Sequence, residues 1–311
     1  MRRISKAGGR AAAAAVAAGA VLAAGPLAPA QAQAAGGPSG IKAKGAFLLD
    51  SGANKTLWGK GSDTRRQMAS TTKVMTAALV TSLSAGGGKS LDTKVTVKKE
   101  YRDYVTKWGG STADLRTGDK LTARQLLYAL LLPSGCDAAY ALADTYGKGG
   151  TSAKRTADFI AKMNKKAAQL GMKNTKFDSF DGISKGGKNY STPRDMAKLG
   201  RYAMTSKNVQ TVVKSTKGVQ KATNGRTYTW YNTNKLLGSY KGVTGIKTGT
   251  GTAAGPCLVF SATRNGRTVI GTILNSNDRY PDATRMLDWA FKQKTATKLT
   301  LRQLPPGAQR D

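Results

Sequence analysis

The sequence predicts an α+β fold in which the two ends of the chain build one sheet around an inserted helical region. Three observations carry this prediction. Short apolar segments alternate like strands near residues 46–58, apolar residues recur at helical spacing from about 68 to 205, and apolar strands joined by turns return from 227 to 274. No internal repeat is visible in the sequence.

The first 35 residues have the composition of a secretory signal peptide. Four basic residues precede an almost pure alanine stretch at 11–24, and Ala32-Gln33-Ala34 offers small residues for cleavage. The apolar run is shorter than the ~20 residues of a membrane span, so we favour a cleaved signal over an uncleaved anchor. The sequence thus predicts a signal at 1–35, a linker at 36–44, a folded domain at 45–294 and a polar tail without an anchor at 295–311. The sheet would come from about 45–66 and 216–294, and the helical region from about 67–215.

The predicted elements follow in order. A β-hairpin at 46–58 precedes a helix at 68–83, which stops at Gly86-Gly87-Gly88, and 91–97 alternates like a short strand. Residues 101–120 are polar and turn-rich.

A second group of helices occupies the middle of the chain. Thr122 and Gln125 form a capping box for an apolar helix that Pro133 and Gly135 end, and Pro193 begins a later helix. Two more helices are predicted at 137–146 and 156–170, four strands at 228–231, 242–247, 257–263 and 268–274, and a last helix at 282–292.

The charge balance favours anionic partners. The chain has 50 basic and 17 acidic residues, and removal of the four basic residues of the signal leaves 46 against 17, a net charge of +29. Export and the lack of any zinc-finger or aromatic RNA-binding motif argue against nucleic acid. Anionic cell-wall polymers or an acidic membrane surface fit an exported protein better.

The missing residue types exclude several kinds of catalysis. The sequence contains no histidine, which removes the Ser-His-Asp triad, the Cys-His pair and histidine-based zinc sites. Glu100 is the one glutamate, and no carboxylate cluster predicts a metal, so we expect neither metal nor cofactor. Cys136 and Cys257 are far apart in sequence, and both a disulfide and two free thiols stay open.

Ser70 and Lys73 are the candidate nucleophile and base. Ser70-Thr71-Thr72-Lys73 stands at a predicted helix start, where positions three apart share a face. A serine needs a neighbouring base, and a lysine that is desolvated or near another cation can serve. The alternative role of Ser70 is a helix N-cap, and Ser39 and Lys42 have the same spacing in the linker.

Two further motifs stand later in the chain. Ser134-Gly135-Cys136 falls between two helices, where it could face a cleft or simply form a turn. Lys247-Thr248-Gly249, followed by Thr250, lies on a predicted strand. There the glycine would let a substrate backbone approach and the cation and hydroxyls could hold a carboxylate, although such pairs are usually a solvated face.

In this order the three motifs resemble those of the serine penicillin-recognising enzymes. The chain as a whole resembles the D-alanyl-D-alanine carboxypeptidase family of low-molecular-mass penicillin-binding proteins over about residues 41–294. The matching segments are 68–73, 132–135, 163–164, 170–172, 181–182, 190–192 and 245–249. The resemblance implies a DD-peptidase (β-lactamase-like) fold, with a five-stranded antiparallel sheet and flanking helices beside a mostly helical subdomain, and with the site between them.

The resemblance also implies a mechanism. Ser70 would attack the carbonyl between two D-alanines while Lys73 takes its proton, and Ser134 would relay a proton to the departing D-alanine. The remaining implied positions are Lys247, Thr248, Gly249 and Thr250 for the terminal carboxylate, Cys136 for the substrate, and the backbone N–H groups of Ser70 and Thr250 for the oxyanion hole.

The implied partners are peptidoglycan stem peptides that end in D-Ala-D-Ala, and β-lactam antibiotics. The protein would act as a secreted monomer. Cys136 departs from the family, because the second motif usually ends in asparagine. The serine-glycine-cysteine form of the second motif also resembles that of some DD-transpeptidases, so both water and an amine stay open as acyl acceptor. A β-lactamase is disfavoured since Glu100 precedes Ser134, and a non-catalytic binding protein since the motifs are intact.

Overall fold

The computed structural model of the protein describes residues 36–184 and 186–309. The predicted signal peptide and its cleavage site lie outside the described residues. The strands are β1 (Gly45–Asp50), β2 (Lys55–Lys60), β3 (Arg66–Gln67), β4 (Lys94–Thr96), β5 (Lys120–Thr122), β6 (Tyr190–Ser191), β7 (Lys217–Lys221), β8 (Thr227–Tyr231), β9 (Val243–Gly249), β10 (Cys257–Arg264) and β11 (Arg267–Leu274). The helices are α1 (Lys73–Ala85), α2 (Lys99–Trp108), α3 (Ala123–Leu131), α4 (Cys136–Tyr146), α5 (Ser152–Gln169), α6 (Pro193–Ala203), α7 (Lys207–Lys214) and α8 (Arg279–Phe291).

A five-stranded antiparallel sheet joins the two ends of the described chain. Its order is β2-β1-β11-β10-β9, and β1 pairs with β11 from Gly45↔Leu274 to Asp50↔Val269. The amino-terminal hairpin is therefore completed by strands that arrive more than 200 residues later. This confirms the predicted α+β class and the five-stranded sheet.

Helices cover both faces of this sheet. On one face Leu48, Phe260 and Ile273 pack with Met286 and Leu287 of α8, while the other face contributes Phe47 and Ile270 to the larger core of the helical region. Alternate residues of a strand point to opposite faces, so a strand that is buried on both sides is apolar throughout. This accounts for the continuous burial of Cys257–Ala262 in β10.

Helix α1 is the central element of the helical region. Every residue from Lys73 to Thr81 is buried, so this helix has no solvent face over its first two turns. Around it pack α3, α4, α5 and α6. The residues at its amino-terminal end are thereby fixed from several sides.

Some elements differ from the sequence predictions. The capping box of Thr122 and Gln125 is present, with both reciprocal hydrogen bonds formed. Helix α2 occupies a stretch that we predicted as turns. Its apolar residues Tyr101, Tyr104, Val105 and Trp108 recur at helical spacing, but Tyr101 alone is fully buried and polar residues separate them. The predicted strand at 91–97 is formed only over Lys94–Thr96, and α7 begins after a break of a few residues behind α6, with Ser206 as its N-cap.

The β7–β8 hairpin forms a separate two-stranded sheet. It lies against α3, where a Cβ on Gly218 would stand 2.8 Å from Cδ1 of Tyr128. The five-stranded sheet therefore takes its carboxyl-terminal strands from β9 onward, and not from about residue 216 as predicted.

The segments on either side of the domain pack onto it. The backbone N–H groups of Lys42 and Ala43 donate to the buried carboxylate of Asp282 in α8 at 3.0 and 2.8 Å. In the tail, the guanidinium of Arg302 donates to backbone carbonyls of the segment that follows β8, among them those of Asn234 and Leu237. Both segments therefore contribute to the packing around the sheet.

Candidate active site

Ser70 lies in a 3-10 turn, Ala69–Thr72, directly before α1. Ala69 has a left-handed backbone with φ of 45°, and Thr71 closes the turn by donating from its hydroxyl to the carbonyl of Met68 at 2.6 Å. Neither the turn nor α1 has a side-chain N-cap hydrogen bond, so the alternative that Ser70 is an N-cap is wrong. Its hydroxyl is available for other contacts at a half-buried position.

The ammonium of Lys73 is buried beside Ser70. Its Nζ donates to Ser70 Oγ at 2.8 Å, to the carbonyl of Asp181 at 3.0 Å and to Cys136 Sγ at 3.3 Å. The structure thus joins the two candidates and adds Cys136 and Asp181, which lie 63 and 108 residues from Lys73 in the chain. A nucleophile and a base within hydrogen-bond reach satisfy the geometry of an activated serine.

Two glycines let other segments approach this turn. A Cβ on Gly182 would stand 2.1 Å from the carbonyl oxygen of Ala69, and a Cβ on Gly249 would stand 2.9 Å from the nitrogen of Ser70. We expected Gly249 to admit a substrate backbone. In the structure the contact between β9 and the turn that carries Ser70 already requires glycine at this position, because a side chain would collide with the turn.

Cys136 and Asp181 face Lys73 as buried acids. Burial raises the pKa of the Cys136 thiol to about 12, although Lys73 acts in the opposite direction. Burial likewise raises the pKa of Asp181, against the effect of Lys73, while one carboxyl oxygen accepts from the N–H of Ile183 at 2.9 Å. The thiol is therefore neutral at physiological pH and presents no negative charge to Lys73.

Ser134 lies between α3 and α4 with φ of 69°. Its hydroxyl is buried and has no hydrogen-bond partner among the described residues. Buried polar groups are nearly always paired, so an unpaired hydroxyl beside a candidate site suggests a partner that arrives with the substrate. In the described chain it is Cys136, and not Ser134, that contacts Lys73.

The third motif lies at the end of β9. Lys247 is 1 % exposed, so the alternative of a solvated face is wrong. Its Nζ donates to the carbonyl of Thr248 at 3.0 Å, and the Thr248 hydroxyl pairs with that of Thr233 at 2.6 Å. Thr250 follows at an exposed position.

Arg279, the first residue of α8, was missed by the sequence reasoning. It donates to Thr250 Oγ1 at 2.9 Å and to the carbonyl of Gly249 at 3.1 Å. This places a second cation beside the third motif, at the end of the strand that carries Lys247. No sequence pattern marks it, because the contact with Thr250 spans 29 residues and depends on where α8 packs.

The cysteines are free and both are buried. Cys257 begins β10, and burial raises the pKa of its thiol to about 11. The question left open by the sequence is thereby answered in favour of two thiols. Among the described residues, no group of three His, Cys, Asp or Glu side chains could hold a metal ion, and no helix is long and apolar enough to cross a membrane.

Comparison with known proteins gives consistent matches over most of the chain. The model of the D-alanyl-D-alanine carboxypeptidase family, peptidase family S11, matches residues 30–278. A D-alanyl-D-alanine carboxypeptidase of Streptomyces sp. strain K15 is 51 % identical over 290 residues, which cover 91 % of this chain and 98 % of that protein. The Bacillus subtilis carboxypeptidase DacF is 31 % identical, and its match covers 81 % of this chain but 63 % of the longer relative.

Solved structures agree with the sequence matches. The crystal structure of the Streptomyces K15 DD-transpeptidase superposes with a TM-score of 0.78 at 50 % identity, over 81 % of this chain and 98 % of that one. The carboxypeptidase DacD of Francisella tularensis superposes with a TM-score of 0.71 at 26 % identity, over 84 % of this chain and 71 % of that one.

Proposed function

The chain belongs to the D-alanyl-D-alanine carboxypeptidase family, and we propose that it carries out the serine chemistry of that family through Ser70 and Lys73. It is a serine-type D-Ala-D-Ala carboxypeptidase that acts on peptidoglycan peptides. The observation that carries the proposed roles is the 2.8 Å hydrogen bond between Lys73 Nζ and Ser70 Oγ in a histidine-free protein.

In the first step Ser70 Oγ attacks the carbonyl carbon between the two D-alanines. Lys73 takes the hydroxyl proton as Ser70 Oγ forms its bond to that carbon. The backbone N–H groups of Ser70 and Thr250 bind the developing oxyanion. This role is supported by the closeness of β9 to the turn, which leaves no room for a side chain at Gly249.

In the second step the tetrahedral intermediate expels D-alanine. The proton that Lys73 took from Ser70 passes through the Ser134 hydroxyl to the departing amine, a relay for which this unpaired hydroxyl is suited. Lys247, Thr248 and Thr250 bind the terminal carboxylate. Arg279 fixes the Thr250 hydroxyl and adds positive charge at that point, since a carboxylate is held best by paired cations and hydroxyls.

Water then resolves the acyl-enzyme and releases the shortened peptide. A second candidate is a DD-transpeptidase, in which an amine of another peptide replaces water. It is favoured by the 50 % identity to a structure named a DD-transpeptidase and by Cys136, since the serine-glycine-cysteine form of the second motif resembles that of some DD-transpeptidases. Both candidates share the acylation step and the same residues.

We further propose that the protein acts outside the cytoplasm after signal removal, as a monomer that penicillins acylate. The charge of +29 that remains without the signal supports contact with anionic cell-wall polymers. High salt should then loosen the protein from isolated walls, and undiminished retention in high salt would oppose the electrostatic account.

Labelling with a fluorescent penicillin tests the nucleophile. Wild type should be labelled, Ser70→Ala should not, and Lys73→Met should be slowed by at least about 1,000-fold through loss of the base. Ser39→Ala is the matched control, because Ser39 has the same spacing from Lys42 that Ser70 has from Lys73. Labelling of Ser70→Ala at the wild-type level would overturn the assignment.

Product analysis separates the two acceptors. A diacylated D-Ala-D-Ala peptide is incubated with and without glycine, and the products are resolved by chromatography. Free acid in both cases supports the carboxypeptidase. A glycine adduct that forms at the expense of the acid supports the transpeptidase.

A further inference from the structure

A basic pocket lies at the end of the sheet remote from Ser70. It has a volume of about 650 Å³ and is bounded by the β10–β11 turn, the start of β9 and the end of α8. None of its lining residues in the described chain is acidic, and its four cations are Lys241, Arg264, Arg267 and Lys292. We call this set the basic pocket.

Arg264 is held in place at the wall of the basic pocket. Its Nε donates to the carbonyl of Lys241 at 2.9 Å, and its guanidinium carbon lies 5.0 Å from the ring centroid of Tyr240 and 5.9 Å from that of Phe291. Its two terminal nitrogens have no hydrogen-bond or ion-pair partner among the described residues. A guanidinium fixed by stacking with its fork unused is arranged for a planar, bidentate anion contact.

The other three cations differ in how far nearby groups of the protein neutralise their positive charge. Arg267 is paired with Asp50 at 2.7 Å and also donates to the carbonyl of Ala290. Lys241 and Lys292 are exposed and form no ion pair with any described residue. The carboxyl end of α8 offers partial compensation for Lys292.

We propose that the basic pocket binds one segment of a phosphodiester polyanion, as a site separate from the catalytic cleft. Arg264 would bind a phosphate through its fork, and Lys241 and Lys292 would act as point charges on the neighbouring phosphate groups. The identity of the polymer as a component of the cell wall rests on the proposed extracytoplasmic location. The pocket itself does not depend on it.

The shape of the surface favours a soluble chain over a membrane. A membrane-binding face presents apolar side chains beside its cations, whereas the described residues expose a single large hydrophobic side chain, Val219 of β7. The cavity is concave, and its apolar lining residues Ala290 and Phe291 lie in its wall beside the cations. A flexible polyanion can enter it, while a flat bilayer surface cannot.

The pocket and the catalytic residues stand at opposite ends of the same strands. β9 begins at Val243, next to the pocket residue Gly242, and ends at Gly249 against the turn of Ser70. Seven residues of strand span about 20 Å. A polymer in the pocket therefore leaves the cleft open to substrate.

Binding of a glycerol-phosphate oligomer to the mature protein tests the proposal. Lys241→Gln/Lys292→Gln should bind the oligomer about tenfold more weakly, because two of its phosphate contacts are lost. Lys154→Gln/Lys165→Gln on α5 removes the same charge from exposed positions and should change binding less than about twofold. Equal losses in the two pairs would mean general charge attraction and would overturn the pocket.

Arg264→Lys keeps the charge and removes the fork. We expect several-fold weaker binding of the oligomer at unchanged penicillin labelling, which reports that the protein is folded. Unchanged oligomer binding by this variant would contradict the role of the guanidinium.

Two controls keep the outcomes apart. Binding of phosphatidylglycerol vesicles that requires Lys241 and Lys292, without oligomer binding, would replace the polymer by a membrane and overturn the proposal. Ser70→Ala should bind the oligomer like wild type. Loss of labelling with retained oligomer binding would thus concern the catalytic assignment alone.

Discussion

At the scale of single residues, Cys136 places a thiol beside Lys73, the proposed base. The thiol lies 3.3 Å from Lys73, and burial keeps it neutral by raising its pKa to about 12. A sulfur is a weak hydrogen-bond partner, so Lys73 is oriented chiefly by Ser70 and by the carbonyl of Asp181.

Ser134→Ala should separate catalysis from stability. The hydroxyl has no partner among the described residues, so its removal should leave the free energy of unfolding unchanged or slightly higher. Acylation by penicillin should slow by about 100-fold or more if the hydroxyl relays a proton. Urea unfolding and labelling kinetics measure the two quantities, and a clear loss of stability would mean that the hydroxyl is bonded in the folded protein.

At the scale of elements, the contact between β9, the loop at 181–184 and the turn of Ser70 sets the position of the proposed nucleophile, Ser70. Gly182→Ala should displace that turn, since its Cβ would stand 2.1 Å from the carbonyl oxygen of Ala69. We expect at least a 100-fold slower acylation, of about the size that a misplaced reacting group causes.

Gly171→Ala is the control for this variant. Gly171 also has a positive φ, of 65°, but a Cβ there meets no atom within 4 Å. It should cost about 1 kcal/mol of stability and leave acylation unchanged. Similar effects of the two substitutions on labelling would show that backbone strain, and not the contact with the turn, is responsible.

Asp144 fastens α4 to its neighbours. Burial acts to raise the pKa of its carboxyl, but hydrogen bonds from Arg155, Lys98 and Tyr101, each at 2.7 Å, outweigh it and lower the pKa to about 2. A carboxyl whose pKa is lowered by folding stabilises the folded state at pH values above its unfolded-state pKa, which is near 3.8. This contribution disappears as the pH falls through the folded-state pKa of about 2.

Asp144→Asn should therefore lower the free energy of unfolding by about 2 kcal/mol at pH 7, and the difference from wild type should shrink between pH 4 and pH 2. Urea unfolding at several pH values measures it. Asp103→Asn, which removes an exposed partner of Lys99, should show almost no difference at any pH. A gap that is constant with pH would contradict the assigned cause.

The elements that could be predicted from the sequence are those decided locally. Thr122 and Gln125 reveal the start of α3 because a capping box needs only four consecutive residues. Helix α2 was not predicted, although Tyr101, Tyr104, Val105 and Trp108 recur at helical spacing, because the stretch is short and rich in charged residues. In the site, Ser70 and Lys73 share one helical turn, whereas Arg279, Asp181 and the contact of Cys136 with Lys73 depend on how distant segments pack.

At the scale of the whole molecule, uncompensated positive charge opposes the compact state. Without its first 35 residues the chain carries +29, and added salt screens this repulsion. The melting temperature should thus rise by a few degrees between 20 mM and 500 mM NaCl, in contrast to a protein held by surface ion pairs. Calorimetry at both salt concentrations measures it, and a falling melting temperature would show that attractive pairs dominate.

The placement of the basic pocket and Ser70 at opposite ends of β9 has a kinetic consequence. A protein that binds the polymer through the basic pocket has its cleft directed away from that polymer. It samples only the volume within reach of its attachment. Its donor peptides then meet it at a local concentration that the length of the tether sets, and not at their average concentration in the wall. Turnover on insoluble wall would accordingly exceed turnover on free peptide, and it would depend on the density of the polymer.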